Sequence, residues 1–154
     1  MRFINSVVVL VLGFLLVVLS ISFAAEIPTG FRGLKWGSSP SSHLKKISGP
    51  TSDGTTMYVP ALGKTPSPLF GTPVAEEAYS FSNGKFYCGN AWFDGQVNFE
   101  RVKTALIKAY GQPSFANETI NLWKWKWPES KIEVHLSYQE KFSRTTVAFI
   151  NNGI

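Results

Sequence analysis

The sequence predicts an α+β domain in which two helices pack on one face of an antiparallel sheet. The first observation is a series of short segments in which apolar and polar residues alternate, as in strands with one buried face. The second is two segments with apolar residues at helical spacing, each followed by such strands. The order helix, three strands, helix, three strands predicts two αβββ units side by side, an arrangement that buries both apolar faces.

The chain begins with a pattern typical of a secretory signal peptide. Arg2 is the only charged residue before an almost wholly aliphatic run from Val7 to Ile21. Ser22-Phe23-Ala24 places small residues at the two positions that signal peptidase inspects. We expect cleavage after Ala24, which makes residues 1–24 the signal peptide and residues 25–154 a single domain, either periplasmic or secreted. An uncleaved membrane anchor is the alternative, since the run approaches the ~20 residues that span a bilayer.

The exported part of the chain is mildly basic. The 154 residues include 15 basic and 10 acidic ones, and loss of Arg2 with the leader leaves 14 against 10, a net charge of +4. Such a charge favours contact with anionic surfaces at low salt. The lysines form no run or stripe, so nucleic acid is not expected as a partner.

A first, short helix is predicted before Gly49-Pro50, which would end it. Either serine of Ser38-Ser39 is suited to cap the free amide groups, and Pro40 suits the first turn. Leu44 and Ile47 would form its narrow apolar face.

The middle of the chain predicts a long loop followed by a hairpin. Residues 51–73 are rich in glycine and proline and include one short predicted strand, 55–59. Two strands follow, 77–81 and 85–93, joined by Asn83-Gly84, a turn whose twist suits paired strands.

The clearest helix is predicted from Asn98 to Tyr110, with Asn98 as the N-cap. Its apolar stripe consists of Phe99, Val102, Leu106, Ile107 and Tyr110. Gly111 and Pro113 end the helix. Three strands are predicted after it, at 119–127, 131–138 and 144–150.

Two short motifs resemble known families. The opening Phe31-Arg32-Gly33-Leu34-Lys35-Trp36-Gly37-Ser38 has the pattern F-x-G-x-x-W-G, and a second motif ends in Tyr110-Gly111-Gln112-Pro113. With these motifs the chain resembles a group of small exported bacterial proteins of unknown function. Its outline is also similar to outer-membrane assembly lipoproteins of the BamE/SmpA type and to the β-lactamase-inhibitor-protein fold. The resemblance implies a role in protein–protein contact. The leader lacks the lipobox cysteine of BamE-type proteins.

Few side chains are suited to catalysis or metal binding. The chain has two histidines, His43 and His135, and one cysteine, Cys88. A zinc site needs three or four ligands, and no hydrolase, metalloprotease or nucleotide-binding motif is present in the sequence. Cys88 is expected to be a small buried residue in a strand. We therefore expect no metal site, no cofactor and no enzymatic activity.

The segment Trp123-Lys124-Trp125-Lys126-Trp127 is the strongest candidate for binding. Strand alternation places Trp123, Trp125 and Trp127 on one face and the lysines on the other. One interpretation is that the rings form core beneath the second helix. Another is an exposed aromatic platform for a sugar or peptide, with Lys124 and Lys126 binding anionic groups. In a third, only the ring nearest Pro128 reaches the surface.

Together these observations predict an exported, non-enzymatic protein that binds another protein through its sheet surface or the loop 51–73. The alternative is a small-ligand or glycan binder that uses Trp123, Trp125 and Trp127. The expected partner is therefore another envelope protein or a cell-wall glycan, and no stable membrane anchor is expected after cleavage.

Overall fold

The computed structural model describes residues 26–61 and 65–154. The predicted signal peptide, residues 1–24, lies outside the described residues. No helix in the described part of the chain is long and apolar enough to cross a membrane.

Ten strands and one α-helix follow one another along the described residues. In chain order they are β1 (Gly30–Phe31), β2 (Leu34–Lys35), β3 (Leu44–Ser48), β4 (Thr55–Pro60), β5 (Glu76–Ser82), β6 (Lys85–Asp94), α1 (Gln96–Tyr110), β7 (Phe115–Asn117), β8 (Leu122–Trp127), β9 (Ile132–Gln139) and β10 (Arg144–Asn151). A single 3₁₀ turn, Glu140–Phe142, joins β9 to β10.

Eight of the strands form one sheet in the order β3-β4-β5-β6-β10-β9-β8-β7. Every neighbouring pair is antiparallel, which confirms the predicted antiparallel sheet. The central strands β6 and β10 pair from Asp94 with Arg144 to Cys88 with Ile150. Strands β1 and β2 form a separate hairpin.

The prediction of two helices on one face of the sheet, in two αβββ units, is wrong. The described residues are 47% strand and 14% helical, and α1 is the one α-helix among them. The segment predicted as the first helix contains the edge strand β3, which pairs with β4. Leu44 is half-buried there and Ile47 is exposed. Two apolar residues give a short helix too little burial to form, whereas pairing with β4 satisfies the backbone groups of the same segment.

The helix α1 covers part of one face of the sheet, which we call the inner face. It packs on β6, β9 and β10 and buries Phe99, Val102 and Leu106 against them. The opposite face is called the outer face.

The β1–β2 hairpin covers the inner face beside α1 and occupies the position predicted for the first helix. The Phe31 ring contacts Tyr79 and Phe149, with centroid distances of 5.5 and 5.4 Å. The Trp36 ring stacks on Phe86 at 5.1 Å. The motif F-x-G-x-x-W-G therefore supplies two aromatic side chains to the core.

Arg32, between β1 and β2, connects this hairpin to the sheet and to the long loop. Its Nε atom lies 2.9 Å from Oε2 of Glu77 in β5. Its Nη1 atom donates to Ser67 Oγ and to the Pro68 carbonyl, each at 3.1 Å. The Tyr79 hydroxyl donates to the same carboxylate at 2.9 Å. Burial, and then the charge of Glu77, raise the pKa of Tyr79, so the phenol keeps its proton as a donor.

The other predicted elements are confirmed within a few residues of their bounds. Asn83 and Gly84 have φ values of 48° and 78°, as the tight turn of the predicted hairpin requires. The prediction of Asn98 as the N-cap is wrong, because the helix begins at Gln96, after Gly95, and the Asn98 side-chain amide instead donates to the Asp94 carbonyl at 2.7 Å. The short edge strand β7 is not predicted from the sequence.

Candidate functional site

Trp123 and Trp125 are part of the core beneath α1. They lie on the inner face with 6% and 2% of their surface exposed. The Trp123 ring centroid is 5.1 Å from that of Phe99. The Trp125 indole N–H donates at 2.8 Å to the carbonyl of Gly111, directly after α1. These two rings are therefore not accessible for stacking on an external ligand.

Trp127 differs because it lies at the end of β8, and α1 stops beside it at Tyr110. The Tyr110 ring packs edge-on against the indole, with a centroid distance of 5.4 Å and an interplanar angle of 82°. Trp127 is half-buried and borders an open pocket of about 520 Å³. This arrangement corresponds to the interpretation in which only the ring nearest Pro128 reaches the surface.

Lys124 and Lys126 lie on the outer face. The Nζ atom of Lys126 is 3.5 Å from Glu133 Oε1, and His135 Nε2 is 2.6 Å from Glu133 Oε2. Burial alone would raise the pKa of Glu133, but the hydrogen bond with His135 and the charge of Lys126 outweigh it and hold this pKa below its ordinary value. Trp123 and Trp125 are thus buried on the inner face and the lysines lie on the outer face, but at the end of β8 both Trp127 and Lys126 border the same pocket.

The outer face also carries a large aromatic side chain, Trp92. This residue of β6 stands opposite Glu76 of β5 and Thr146 of β10. Its neighbours Ala91 and Phe93 are fully buried on the inner face, so strand alternation directs the Trp92 indole outward. No helix or strand among the described residues packs over it.

Two grooves flank Trp92. The first has a volume of about 440 Å³ and is lined mainly by apolar side chains of β3, β4 and β5. The second, about 490 Å³, lies between Trp92 and Phe142, and Phe142 is 65% exposed. We call the following set the outer apolar patch: Met57, Val59, Ala78, Trp92 and Phe142. Phe142 is exposed, Met57, Val59 and Trp92 are half-buried, and Ala78 is buried but lines the first groove.

Charged side chains border the outer apolar patch. Arg144 Nη2 is 2.8 Å from Glu76 Oε1, and Arg144 Nε is 3.6 Å from Asp94 Oδ1. One guanidinium is thus shared by two carboxylates, and the border presents both signs of charge. Glu76 and Glu77 point to opposite faces, as expected for neighbours in a strand.

Cys88 lies on the outer face in β6 and is half-buried. Burial raises its pKa to about 11, and the amide of Asn90, which donates to Sγ at 3.4 Å, lowers it only in part. The thiol is therefore protonated at neutral pH. Within residues 26–61 and 65–154, no three His, Cys, Asp or Glu side chains are placed to hold a metal ion.

None of the residues in the outer apolar patch stands out in the sequence alone. The adjacent aromatics Trp92 and Phe93 are the one available signal, because neighbouring residues of a strand face opposite sides. One of these two large rings must lie on the face that is not the core.

No protein-family model matches the chain, and comparisons with curated proteins and with solved structures gave no match either.

Proposed function

We propose that this chain is an exported, non-enzymatic protein that binds another protein of the cell envelope or the exterior through the outer apolar patch. The observation that carries the proposal is the position of Trp92, which is half-buried between two open grooves on a sheet face over which no described helix or strand packs. Contiguous exposed apolar surface marks interaction sites, and tryptophan and methionine are enriched at the centres of interfaces.

The surroundings of Trp92 support a role as an anchor for a partner. The grooves on its two sides are depressions into which side chains of a partner fit, and anchoring residues of interfaces sit in such pockets. The charged border formed by Arg144, Glu76 and Asp94 resembles the polar rim that surrounds an interface centre. The signal-peptide pattern supports the exported setting, and the resemblance to exported binding families supports the type of activity.

The proposal is tested by a comparison of two variants. The mature chain and the variant Trp92→Ala are used to capture partners from an envelope extract, and the affinity of each captured protein is then measured. We expect a specific partner whose affinity falls by about 30-fold in Trp92→Ala, which corresponds to an interface anchor of about 2 kcal/mol. Hydrogen exchange of the complex is expected to slow in β4, β5 and β6.

The matched control is Val97→Ser, which removes an apolar side chain that is 66% exposed on α1, away from the outer face. It is expected to bind as the unchanged chain does. Circular dichroism and thermal unfolding verify that both variants fold. Capture of the same proteins with equal affinity by folded Trp92→Ala contradicts the proposal, as does the recovery of no specific partner.

A further inference from the structure

The pocket beside Trp127 lies at the end of the sheet, on a different part of the surface from the outer apolar patch. It has a volume of about 520 Å³, within the range of small-molecule sites. Its lining divides into an apolar part, Ile27, Trp127 and Pro128, and a polar part, Lys126, Glu129 and Ser130.

The ring of Trp127 is held in a fixed position at this pocket. Tyr110 packs edge-on against it at 5.4 Å, so the indole is supported from the core side. The hydroxyl of Ser130 donates to the Trp127 carbonyl at 3.1 Å and fixes the turn that follows β8. A ligand therefore meets an aromatic ring that is already positioned, which lowers the entropic cost of binding.

The polar groups at the pocket narrow the chemistry of the ligand. Lys126 offers donors, and Glu129 and the Ser130 oxygen offer acceptors, because the one hydroxyl proton of Ser130 is donated to the Trp127 carbonyl. A wholly apolar ligand would leave these groups facing an apolar surface at a free-energy cost. The negative charges of Glu129 and Glu26 disfavour a phosphate group or nucleotide. Glu26 is near this site, because its charge is the second cause, behind burial, of the raised pKa of Tyr110.

We propose that this pocket binds a hexopyranose unit of an oligosaccharide, with one face of the sugar on the Trp127 indole. The C–H groups on a pyranose face carry partial positive charge, and the face of an indole is negative, so the two surfaces attract each other. The hydroxyl groups around the sugar ring both donate and accept hydrogen bonds, and Lys126, Glu129 and Ser130 supply matching partners. This site is independent of protein binding at Trp92.

The test is a titration of the mature chain with N-acetylchitotriose, cellotriose and maltotriose, monitored by tryptophan fluorescence and by calorimetry. We expect saturable binding of at least one trisaccharide, with a change in emission. The variant Trp127→Ala is expected to bind at least tenfold more weakly. The variant Trp92→Ala is expected to bind as the unchanged chain does, which separates this site from the proposed protein interface.

Because Trp127 contacts Tyr110, the variant Trp127→Ala could lose stability, and a second variant keeps the test decisive. Ile27 is 41% exposed at the pocket, and Ile27→Arg would fill the pocket entrance without removing any core side chain. This variant is expected to weaken binding at least tenfold with an unchanged melting temperature. The proposal is overturned if no trisaccharide binds, or if folded Ile27→Arg binds with unchanged affinity.

Discussion

The Phe31 ring lies against the Cα atom of Gly89, in the space that a Cβ atom at residue 89 would occupy. Gly89 is on the inner face of the central strand β6, so the β1–β2 hairpin reaches the sheet only because this residue has no side chain. The contact joins the first motif of the mature chain to the middle of the sheet.

We expect Gly89→Ala to lower the free energy of unfolding by about 2 kcal/mol, the usual cost of inserting a methyl group into a packed core. Urea unfolding at equilibrium measures the change. In the background Phe31→Leu, the same substitution is expected to cost less, because a smaller side chain leaves room for the methyl group. Strictly additive effects of the two substitutions would show that Phe31 and Gly89 are not in contact.

Arg32→Met tests the connection between the hairpin, the sheet and the long loop. The side chains of Arg32 and Glu77 are only 14% and 9% exposed, and removal of the cation leaves a largely buried carboxylate without its partner. We expect a loss of about 3 kcal/mol in unfolding free energy, together with faster proteolysis near Ser67. The matched control is Arg144→Met, which breaks a more exposed pair with Glu76, and a loss below about 1 kcal/mol is expected there. Equal losses in the two variants would contradict this account.

Thr145→Val is expected to stabilise the protein. Thr145 is fully buried on the inner face, and its Oγ1 atom has no hydrogen-bond partner among the described residues. Valine has nearly the same shape without the polar group, so the gain is about 1 kcal/mol. The neighbouring Thr146 is half-buried on the outer face, and Thr146→Val is expected to change stability by less than about 0.5 kcal/mol. Thermal unfolding of the two variants distinguishes them, and a destabilised Thr145→Val would show that its hydroxyl is satisfied.

Apart from the short strand β7, the strands from Glu76 onward could be predicted because the sequence of each one shows a strand pattern by itself. In β9, for example, Ile132, Val134 and Leu136 alternate with polar residues, and all three are buried. The same alternation placed Trp123 and Trp125 together on one face. The packing of that face beneath α1 depends on the sheet order, so the sequence left the core and platform interpretations open.

The segment that became β3 shows why the predicted first helix is wrong. Its cap residues and Leu44-to-Ile47 spacing favour a helix locally, but the outcome depends on whether a distant segment offers a pairing edge. Strand β4 offers that edge, and the Phe31 and Trp36 side chains already cover the inner face nearby. Neither the pairing with β4 nor the position of Phe31 and Trp36 can be predicted from the local pattern, because strand formation depends on neighbours that are distant in sequence.

The outer apolar patch could not be predicted for a related reason. Met57, Ala78 and Trp92 come from three strands, and their common face is defined only by the register of β4, β5 and β6. The sequence does require that Trp92 and Phe93 face opposite sides. The sequence does not indicate which of the two rings is buried, because α1 and the β1–β2 hairpin, which cover the inner face, come from other parts of the chain.

The Cys88 thiol provides a pH-dependent test of the outer face. Burial raises its pKa to about 11, compared with 9.0 for an ordinary thiol. Because the thiolate is the reacting form, we expect labelling of the native protein by an aromatic disulfide reagent to be slow near pH 7 and to rise about tenfold per pH unit up to about pH 10. In the protein unfolded by guanidinium, the rate is expected to be higher and to level off near pH 9. If native and unfolded chains have the same pH profile, Cys88 is not shielded by its neighbours on the outer face.

A partner bound at Trp92 is expected to slow the labelling of Cys88 in the native protein further, because Cys88 and Trp92 point to the same side of β6. A trisaccharide bound at Trp127 is expected to leave the labelling rate unchanged.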